Sequence, residues 1–457
     1  MNDPNGLVYL DGEYHLFYQY NPMGIRWGHM SWGHAISKDL IHWEHLPVAI
    51  AEEKDTMIFS GSCVVDSFNT SGFAKEKGQV PMVAVYTGHI EGKNQSQHIA
   101  YSLDKGRTWT KYEHNPVLDL GKKDFRDPKV FWYAPQNKWV MAVMWPVEKQ
   151  VQFYQSKNLK QWELMSRFGP AGDTTGIWEC PDLLQVPIEG EPGKTKWVFM
   201  HSPAPYMQYF VGEFDGTRFT NENPSQKIYR PDYGPDYYAA ITYNNLPANQ
   251  PPLTIGWANN WNYAQDIPTL PWRSMTSLPK TLSVKKINGE WILIQKPVKQ
   301  LESLRTAHQS WTSIKTKGAY KIPAGGQSIE LTLTLTPAAN STSGIRIAKG
   351  NNHYFEIGYD AATNSVYVDR SRAGETGFSA AFARMNRYEA TLGSRTKQIS
   401  LHIFFDRSIV EVFANNGEAV LTTQLFPSPN NTGMELFSNS AGVVFNKVEF
   451  WKIKPAW

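Results

Sequence analysis

The peptide Ser37-Lys38-Asp39-Leu40-Ile41-His42-Trp43 recurs along the first half of this chain. Ser102-Leu103-Asp104-Lys105-Gly106-Arg107-Thr108-Trp109 and residues 156–162 are related copies, and residues 214–219 form a degenerate fourth. The terminal aromatic residues of the four copies stand 66, 53 and 57 positions apart. In each copy a polar turn follows one strand, and the aromatic residue opens the next strand. The repeat therefore predicts successive β-rich units of similar length.

A second series of short apolar segments runs in step with the first. These segments are rich in strand-forming residues and occupy residues 14–18, 82–86, 139–143, 197–200 and 253–257. Five units with several short strands each are typical of a β-propeller. We therefore predict an all-β protein with a five-bladed β-propeller. Periodicity alone is also compatible with a pair of non-repeating β-sandwiches.

The propeller prediction brings distant residues together. The first strand of each predicted unit begins near Asp3, Ser60, Asp127, Asp182 and Asp236. In a propeller the first strand of every blade lines the central channel. We expect these strand starts to meet at one mouth of that channel.

The last third of the chain has a different pattern. Residues 329–335 alternate strictly between apolar and polar side chains, as do residues 399–405. Such alternation indicates antiparallel sheets with one buried face, packed as a C-terminal β-sandwich. The predicted domains are a propeller at residues 1–300, a linker at 301–309 and the sandwich at 310–457.

Composition excludes several classes of function. The net charge is only +3 over 457 residues and no Lys/Arg block occurs, so neither nucleic acid nor an anionic membrane is an expected partner. No apolar run approaches 18 residues, so we expect no membrane span. The two cysteines, Cys63 and Cys180, are expected to be free thiols. No signal peptide is visible, and we expect the natural protein to have residues before Met1.

Three acidic motifs carry the chemistry, namely Asn2-Asp3-Pro4-Asn5-Gly6, Phe125-Arg126-Asp127-Pro128 and Trp178-Glu179-Cys180-Pro181-Asp182. Taken alone, the first motif is better explained as a turn, the second fits a surface ion pair and the third fits an exposed acid. Their joint placement at blade starts favours three carboxylates in one pocket, as cleavage of a glycosidic bond requires. We expect Asn2 and Asn5 to favour the charged form of Asp3, and Arg126 to keep Asp127 charged. The flanks of Glu179 suit a proton donor.

The whole chain resembles glycoside hydrolase family 32, the β-fructosidases. The likeness rests on these three motifs and on Tyr18-Gln19-Tyr20-Asn21-Pro22, Trp27-Gly28-His29, Trp32-Gly33-His34-Ala35 and Phe59-Ser60-Gly61-Ser62. The resemblance implies a five-bladed propeller followed by a β-sandwich. It implies that Asp3 is the nucleophile, Glu179 the general acid/base and Asp127 the transition-state stabiliser. It also implies a fructose pocket lined by Asn2, Gln19, Trp27, Phe59, Ser60, Arg126 and Trp257, with Asp236 and Tyr238 as a further polar wall.

The same resemblance implies a hydrolase that needs neither cofactor nor metal and acts on levan, inulin or sucrose, releasing terminal fructose. A polymeric substrate predicts export from the cell. The loop before Gln208 is unusually short, and a short loop would widen the cleft for internal chain positions. An endo-acting levanase is therefore an alternative hypothesis. Two further hypotheses are a fructosyltransferase and a non-catalytic carbohydrate-binding propeller. Linkage preference, oligomeric state and any sugar binding by the sandwich stay open.

Overall fold

The computed structural model describes residues 1–456, so Trp457 of the predicted sandwich lies outside the described residues. The described chain is almost entirely β-structure, as predicted. Its helices are short: two 3-10 helices at Ala134–Gln136 and Lys299–Leu304, and one α-helix, α1, at Ala380–Arg384. The Ser379 hydroxyl caps α1 by accepting a hydrogen bond from the amide of Phe382.

Five antiparallel sheets form in chain order. The first contains β1 (Pro4–Leu10), β2 (Glu13–Tyr20), β3 (Ser31–Ser37) and β4 (Trp43–Ile50). The second contains β5 (Thr56–Val65), β6 (Met82–Ile90), β7 (Asn94–Ser102) and β8 (Thr110–Lys111), with β9 (Leu118–Lys122) also paired to β7. The third contains β10 (Arg126–Tyr133), β11 (Lys138–Trp145), β12 (Gln150–Ser156) and β13 (Glu163–Phe168). The fourth contains β14 (Trp178–Pro187), β15 (Thr195–Pro203), β16 (Gln208–Phe214) and β17 (Phe219–Asn221). The fifth contains β18 (Tyr238–Thr242), β19 (Leu253–Trp257), β20 (Lys280–Ile287) and β21 (Glu290–Pro297).

The first strands of these sheets form a closed ring. Each of them contacts the next in the order β1, β5, β10, β14, β18, and β18 contacts β1 again. All five line one small cavity, to which they contribute residues such as Pro4, Ser62, Lys129, Pro181 and Ile241. Asn244 closes the ring, because its amide donates to the carbonyl of Leu7 at 2.9 Å. The predicted five-bladed propeller is therefore confirmed.

The repeated peptides form one kind of turn. In the first copy the Asp39 carboxylate accepts hydrogen bonds from two backbone amides, and the Trp43 indole donates to the carbonyl of Leu40 at 3.2 Å. The copies that end at Trp109 and Trp162 have the same indole-to-carbonyl bond, at 3.0 and 3.1 Å. In the fourth copy Asp215 still accepts from two amides. These turns join the third strand of a blade to the fourth.

All five inner strands have an irregularity near the start of the strand. Register shifts lie between Asn5 and Val8, Ile58 and Gly61, Arg126 and Lys129, Glu179 and Asp182, and Tyr238 and Ile241. Four of these segments contain a residue with positive φ, namely Gly6 (54°), Asp127 (64°), Cys180 (50°) and Ala239 (50°). A β-bulge of this kind re-aims side chains and bends the strand. At Gly6 a Cβ atom would lie 2.8 Å from the Phe17 and Trp32 rings, so glycine is required there.

The C-terminal region is a sandwich of two six-stranded sheets. One has the order β22 (Arg305–Lys315), β33 (Val444–Ile453), β24 (Ser328–Thr336), β29 (Ile399–Asp406), β30 (Ile409–Ala414), β31 (Ala419–Gln424). The other has the order β23 (Gly318–Ile322), β32 (Gly433–Ser438), β25 (Thr342–Lys349), β26 (Phe355–Asp360), β27 (Ser365–Asp369), β28 (Arg387–Thr391). A single apolar cluster, which includes Leu331, Ile345 and Val412, fills the space between them. The predicted sandwich is confirmed.

The chain divides into two compact units. The first comprises residues 1–230, 238–257 and 271–284, and the second comprises residues 231–237, 258–270 and 285 onward. Residues 301–309, the predicted linker, include the end of the second 3-10 helix and the start of β22. The domain limits at residues 300 and 310 stay a prediction.

A buried ion pair links three inner strands of the propeller. The ammonium group of Lys129 on β10 lies 3.1 Å from the Asp182 carboxylate on β14 and donates to the Thr242 carbonyl on β18 at 2.9 Å. Thr242 also donates to Asp182, through its hydroxyl at 2.8 Å. Both charged side chains are almost fully buried. An unpaired charge at this depth is strongly unfavourable.

We expect Lys129→Met to lower the free energy of unfolding by about 3 to 5 kcal/mol, because it leaves Asp182 charged, buried and without its cation. The measurement is urea unfolding of the full chain. Lys194, whose side chain is 70% exposed and pairs with Glu191, provides the control. Lys194→Met is expected to cost less than about 1 kcal/mol. Equally small losses of unfolding free energy in the two variants would contradict the stabilising role of the Lys129–Asp182 pair.

Candidate active site

Asp3 lies immediately before β1, at the mouth of the propeller channel. Its Oδ1 accepts a hydrogen bond from the Asn2 amide at 3.1 Å, and its Oδ2 accepts from the Ser60 hydroxyl at 3.2 Å. The backbone of Gln19, near the end of β2, bonds to Asn2 and to Asp3. Its carbonyl accepts from the Asn2 backbone amide, and its own amide donates to the Asp3 carbonyl. Strands of the first two blades therefore fix this carboxylate.

Asp127 lies in the bulge of β10. Its Oδ2 accepts a hydrogen bond from the Cys180 amide at 2.9 Å, and its own amide donates to the Thr87 hydroxyl at 3.0 Å. A non-glycine residue with φ of 64° is held in a sparsely populated conformation, and such a conformation persists only where the surroundings hold it. Here both neighbouring blades supply that support.

Glu179 occupies the equivalent bulge of β14. Its Oε1 accepts two hydrogen bonds from the guanidinium of Arg126, at 3.1 Å from Nε and 2.9 Å from Nη2. Its Oε2 accepts from the hydroxyl of Tyr238 on β18. Arg126 is held in turn by Asp124 at 2.8 Å and by Gln95 at 3.1 Å. Both oxygens of Glu179 therefore have a defined orientation.

The three carboxylates meet around Cys180. The Cys180 sulfur lies 3.8 Å from Oδ2 of Asp3 and 3.7 Å from Oδ2 of Asp127. Arg126 joins the other pair, since its Nε lies 4.0 Å from Asp127 and 3.1 Å from Glu179. The structure thus brings Asp3, Asp127 and Glu179 into one cluster, as the propeller argument predicts.

The electrostatics of this cluster differ from the expectation for Asp3. Burial, followed by the charges of Glu179 and Asp127, raises the pKa of Asp3 to about 7, although hydrogen bonds from Asn2 and Ser60 oppose the rise. Burial also raises the pKa of Asp127 to about 6, against the attraction of Arg126. The sequence correctly indicates Asn2 for Asp3 and Arg126 for Asp127 as groups that favour the charged forms, whereas the second donor to Asp3 is Ser60 and not Asn5. It does not indicate the desolvation that outweighs them.

Burial and the surrounding carboxylates raise the pKa of the Cys180 thiol well above its usual value. Both Cys180 and Cys63 are buried free thiols, as expected. The sulfur of Cys180 is therefore a neutral neighbour of the carboxylates at neutral pH.

The other predicted pocket residues fall into two groups. Asn2, Gln19, Ser60 and Arg126 contact the carboxylates directly or through the backbone, as described above. Phe59 adjoins Ser60 on β5, and its ring meets the Trp27 ring edge-on, with centroids 5.9 Å apart. Trp27 is 45% exposed, so core packing does not explain its position. Trp257 is buried and packs edge-on against Tyr238, the residue that contacts Glu179.

Asp236 has different partners. Its side chain is fully buried, and its carboxylate accepts hydrogen bonds from Tyr263, from Arg370 at 3.0 Å and from the Gln424 amide at 2.8 Å. No contact described for residues 1–456 joins it to Asp3, Asp127 or Glu179. Its buried ion pair favours a role in folding.

Three neighbours of the carboxylates are more important in the structure than the sequence indicates. From the sequence, the Cys180 thiol is only a flank of Glu179, and Tyr238 is only part of a further wall. Tyr238 opens the fifth inner strand, so the strand-start argument could have found it. Gln95 lies near the start of β7, and its polar side chain within a buried strand is the available signal.

The described part of the chain offers neither a metal cluster nor a membrane helix. Among residues 1–456, no group of three or more His, Cys, Asp and Glu side chains is arranged to hold a metal ion. No helix in the same range has the length and apolar character needed to cross a membrane.

Comparison with known proteins gives matches along the whole chain. The family model for the glycosyl hydrolases family 32 N-terminal domain matches residues 1–297, and the model for the family 32 C-terminal region matches residues 300–452. A levanase of Bacillus subtilis (strain 168) is 45% identical over all of this chain and 69% of its own length. An extracellular exo-inulinase of Aspergillus niger is 38% identical over all of this chain and 93% of its own.

Solved structures agree with the sequence matches. The crystal structure of an exo-inulinase from Aspergillus awamori superposes with a TM-score of 0.94 at 37% identity, covering 100% of this chain and 96% of that one. A β-fructofuranosidase from Schwanniomyces occidentalis, complexed with fructosyl-erythritol, gives a TM-score of 0.89 at 33% identity, covering 99% and 95%.

Proposed function

Because this chain belongs to glycosyl hydrolase family 32 and is a glycoside hydrolase of fructosyl bonds, we propose that it hydrolyses fructans with net retention. Its substrates are levan or inulin, with sucrose as a smaller substrate. The observation that carries the proposal is the meeting of Asp3, Asp127 and Glu179 around Cys180 and Arg126. Retaining glycosidases need two carboxyl groups close together on either side of the scissile bond.

In the first step Asp3 attacks the anomeric carbon of a fructofuranosyl unit. The bond from that carbon to the leaving oxygen breaks, Glu179 gives its proton to the oxygen, and a fructosyl ester forms on Asp3. Asp127 stabilises the transition state through the sugar hydroxyls, since a charged acceptor makes strong hydrogen bonds.

In the second step water hydrolyses the fructosyl ester on Asp3. Glu179 takes a proton from the water, the water oxygen bonds to the anomeric carbon, and the ester to Asp3 breaks. Two inversions at one carbon give net retention. The hydrogen bonds from Arg126 and Tyr238 aim the Glu179 carboxyl at one place in both steps.

The preferred mode is release of terminal fructose. Two relatives that are similar over nearly their whole length are exo-inulinases by name. Trp27 and Phe59 supply an aromatic wall that suits the apolar face of one sugar ring. Only four residues separate β15 from β16, so internal cleavage of levan is the second candidate.

Two wider features belong to the proposal. Export fits a polymeric substrate, and the Aspergillus relatives are extracellular by name. The sandwich serves as a scaffold. The functional residues are Asp3, Asp127 and Glu179 for catalysis, with Asn2, Gln19, Trp27, Phe59, Ser60, Arg126 and Trp257 for binding.

We expect levan or inulin to give fructose as the main early product, because the proposed site holds one terminal unit. The measurement is chromatography of products from levan, inulin and sucrose at low conversion. A ladder of oligomers would support internal cleavage instead, and longer oligosaccharides from concentrated sucrose would indicate a transferase. No product from any of the three would contradict the function.

We expect Glu179→Gln to lower kcat on fructan by about 100-fold or more, because the leaving oxygen loses its proton donor. Asp3→Ala is expected to prevent formation of the covalent intermediate, and mass spectrometry of a trapped enzyme checks this. The exposed acid Glu113 provides a control, since Glu113→Gln keeps the same side-chain shape. An adduct on another residue would overturn the assignment of Asp3.

We expect Ser60→Ala to move the acidic limb of the kcat/KM profile upward by about half to one pH unit. The Ser60 hydroxyl favours charged Asp3, so its loss raises the pKa of Asp3. Asp3 attacks only when ionised, so the limb follows this pKa upward from about 7. Ser67→Ala, at an exposed turn, is the control. A limb that stays in place or moves to lower pH would contradict this role.

A further inference from the structure

Two cross-strand pairs on β6 and β7 hold the peptide that precedes Asp127. Thr87 faces Gln97, and His89 faces Gln95, in the register of these two strands. We call these four side chains the glutamine clamp. Thr87, Gln95 and Gln97 are buried and His89 is partly exposed, and none of the four contributes to the chemistry described above.

The first arm of the clamp is Gln95. Its side-chain oxygen accepts from the Phe125 amide at 3.0 Å and from Nη1 of Arg126 at 3.1 Å. Since the oxygen faces two donors, the amide nitrogen faces Nδ1 of His89, at 3.2 Å. Nδ1 must therefore be the accepting nitrogen of His89. Nε2 then carries the ring proton and donates to the Glu91 carboxylate at 3.0 Å.

The second arm is Gln97. Its amide nitrogen donates to the Phe125 carbonyl at 2.7 Å, and its oxygen accepts from the Thr87 hydroxyl at 2.9 Å. The Thr87 oxygen in turn accepts from the Asp127 amide at 3.0 Å. The two arms thus bind the amide and the carbonyl of one residue, Phe125, and the backbone of the residue two positions later.

We propose that the glutamine clamp is a positioning device for the reaction, which sets Asp127 and, through Arg126, Glu179. The inference rests on the proposed function. Asp127 has a φ of 64°, a sparsely populated conformation that needs support from its surroundings. The clamp supplies that support from the blade before β10. It also fixes the guanidinium that holds Oε1 of Glu179.

The clamp has a geometric consequence for the rate. A displacement of about 1 Å at a catalytic group can lower a rate by about 100-fold. Loss of one clamp bond frees the peptide on which both Arg126 and Asp127 lie, without removing any group that contacts the sugar. The expected signature is a fall in kcat with little change in KM.

The first test is Thr87→Val, which keeps the branched shape and removes the hydroxyl between Asp127 and Gln97. We expect kcat on sucrose to fall by about 10- to 100-fold with KM within about threefold. Thr87→Ser keeps the hydroxyl and is expected to restore kcat to within about threefold of the wild type.

Ser62 supplies a matched control. Its hydroxyl accepts from the Val130 amide at 2.8 Å, so it makes the same kind of bond to the same strand, farther from Asp127. Ser62→Ala is expected to lower thermal stability by an amount similar to Thr87→Val and to leave kcat nearly unchanged. Equal losses of kcat in both variants would overturn the clamp, because they would report general loosening of β10.

The second test separates the two functions of His89. His89→Gln offers a hydrogen-bond acceptor toward Gln95, and His89→Phe keeps a ring on Phe59, whose centroid lies 4.3 Å from that of His89. We expect His89→Phe to slow sucrose hydrolysis far more than hydrolysis of p-nitrophenyl β-fructofuranoside, since nitrophenolate leaves without a proton from Glu179. His89→Gln should recover sucrose hydrolysis.

The outcomes are distinct. Equal slowing of both substrates in His89→Phe, or no recovery in His89→Gln, would contradict the Gln95 arm. If Thr87→Val does not fold, as judged by circular dichroism, the His89 pair decides the proposal. A wild-type enzyme that is inactive on every fructosyl substrate would refute the function itself, whereas an active wild type with unaffected variants would refute only the clamp.

Discussion

The site depends on polar bonds that cross the central channel of the propeller. Lys129 joins β10 to β14 and β18, and the Asn244 side chain donates to the carbonyls of Cys63 on β5 and Val130 on β10. Strand pairing stays within each sheet, so backbone bonds between blades are isolated ones, such as the bond from the Asn244 amide to the Leu7 carbonyl. These buried side chains provide directional contacts that apolar packing between blades lacks. The positions of Asp3, Asp127 and Glu179 relative to one another follow from that ring.

The mouth of the channel gathers several carboxylates around one cation, Arg126. The carboxylates of Asp124, Asp127 and Glu179 lie near the guanidinium of Arg126, and burial raises the pKa of both Asp3 and Asp127. Burial therefore favours the protonated form of Asp3, whereas a retaining glycosidase needs its nucleophile ionised, and the hydrogen bonds from Asn2 and Ser60 favour that ionised form. The bulges of β10 and β14 hold Asp127 and Glu179, and a bulge re-aims the side chains it contains. Strain at Asp127 and Cys180 is the cost of that arrangement.

Much of this organisation could be predicted from the sequence. The spacing of Trp43, Trp109 and Trp162 indicates the blades, and the motifs around Asp3, Asp127 and Glu179 indicate the site, because each lies in a local pattern. Bulges and burial leave no such pattern, so the raised pKa of Asp3 and the contact of Cys180 with two carboxylates needed coordinates. Asp236 shows the limit of the strand-start argument, since its carboxylate pairs with Arg370. The role of Gln95 and Gln97 depends on their bonds to Phe125 and Arg126 in the neighbouring blade, which no local sequence pattern indicates.

The repeated turns that end at Trp43, Trp109 and Trp162 join third strands to fourth strands. The carboxylates lie where first strands begin, and antiparallel strands alternate in direction, so these turns occupy the opposite face of the propeller. Each turn is stabilised by its own side-chain bonds and owes little to the channel. That face therefore suits chemical coupling to a solid support. A catalyst attached there would present its open mouth to a dissolved polymer, and the tether would not compete with the incoming chain.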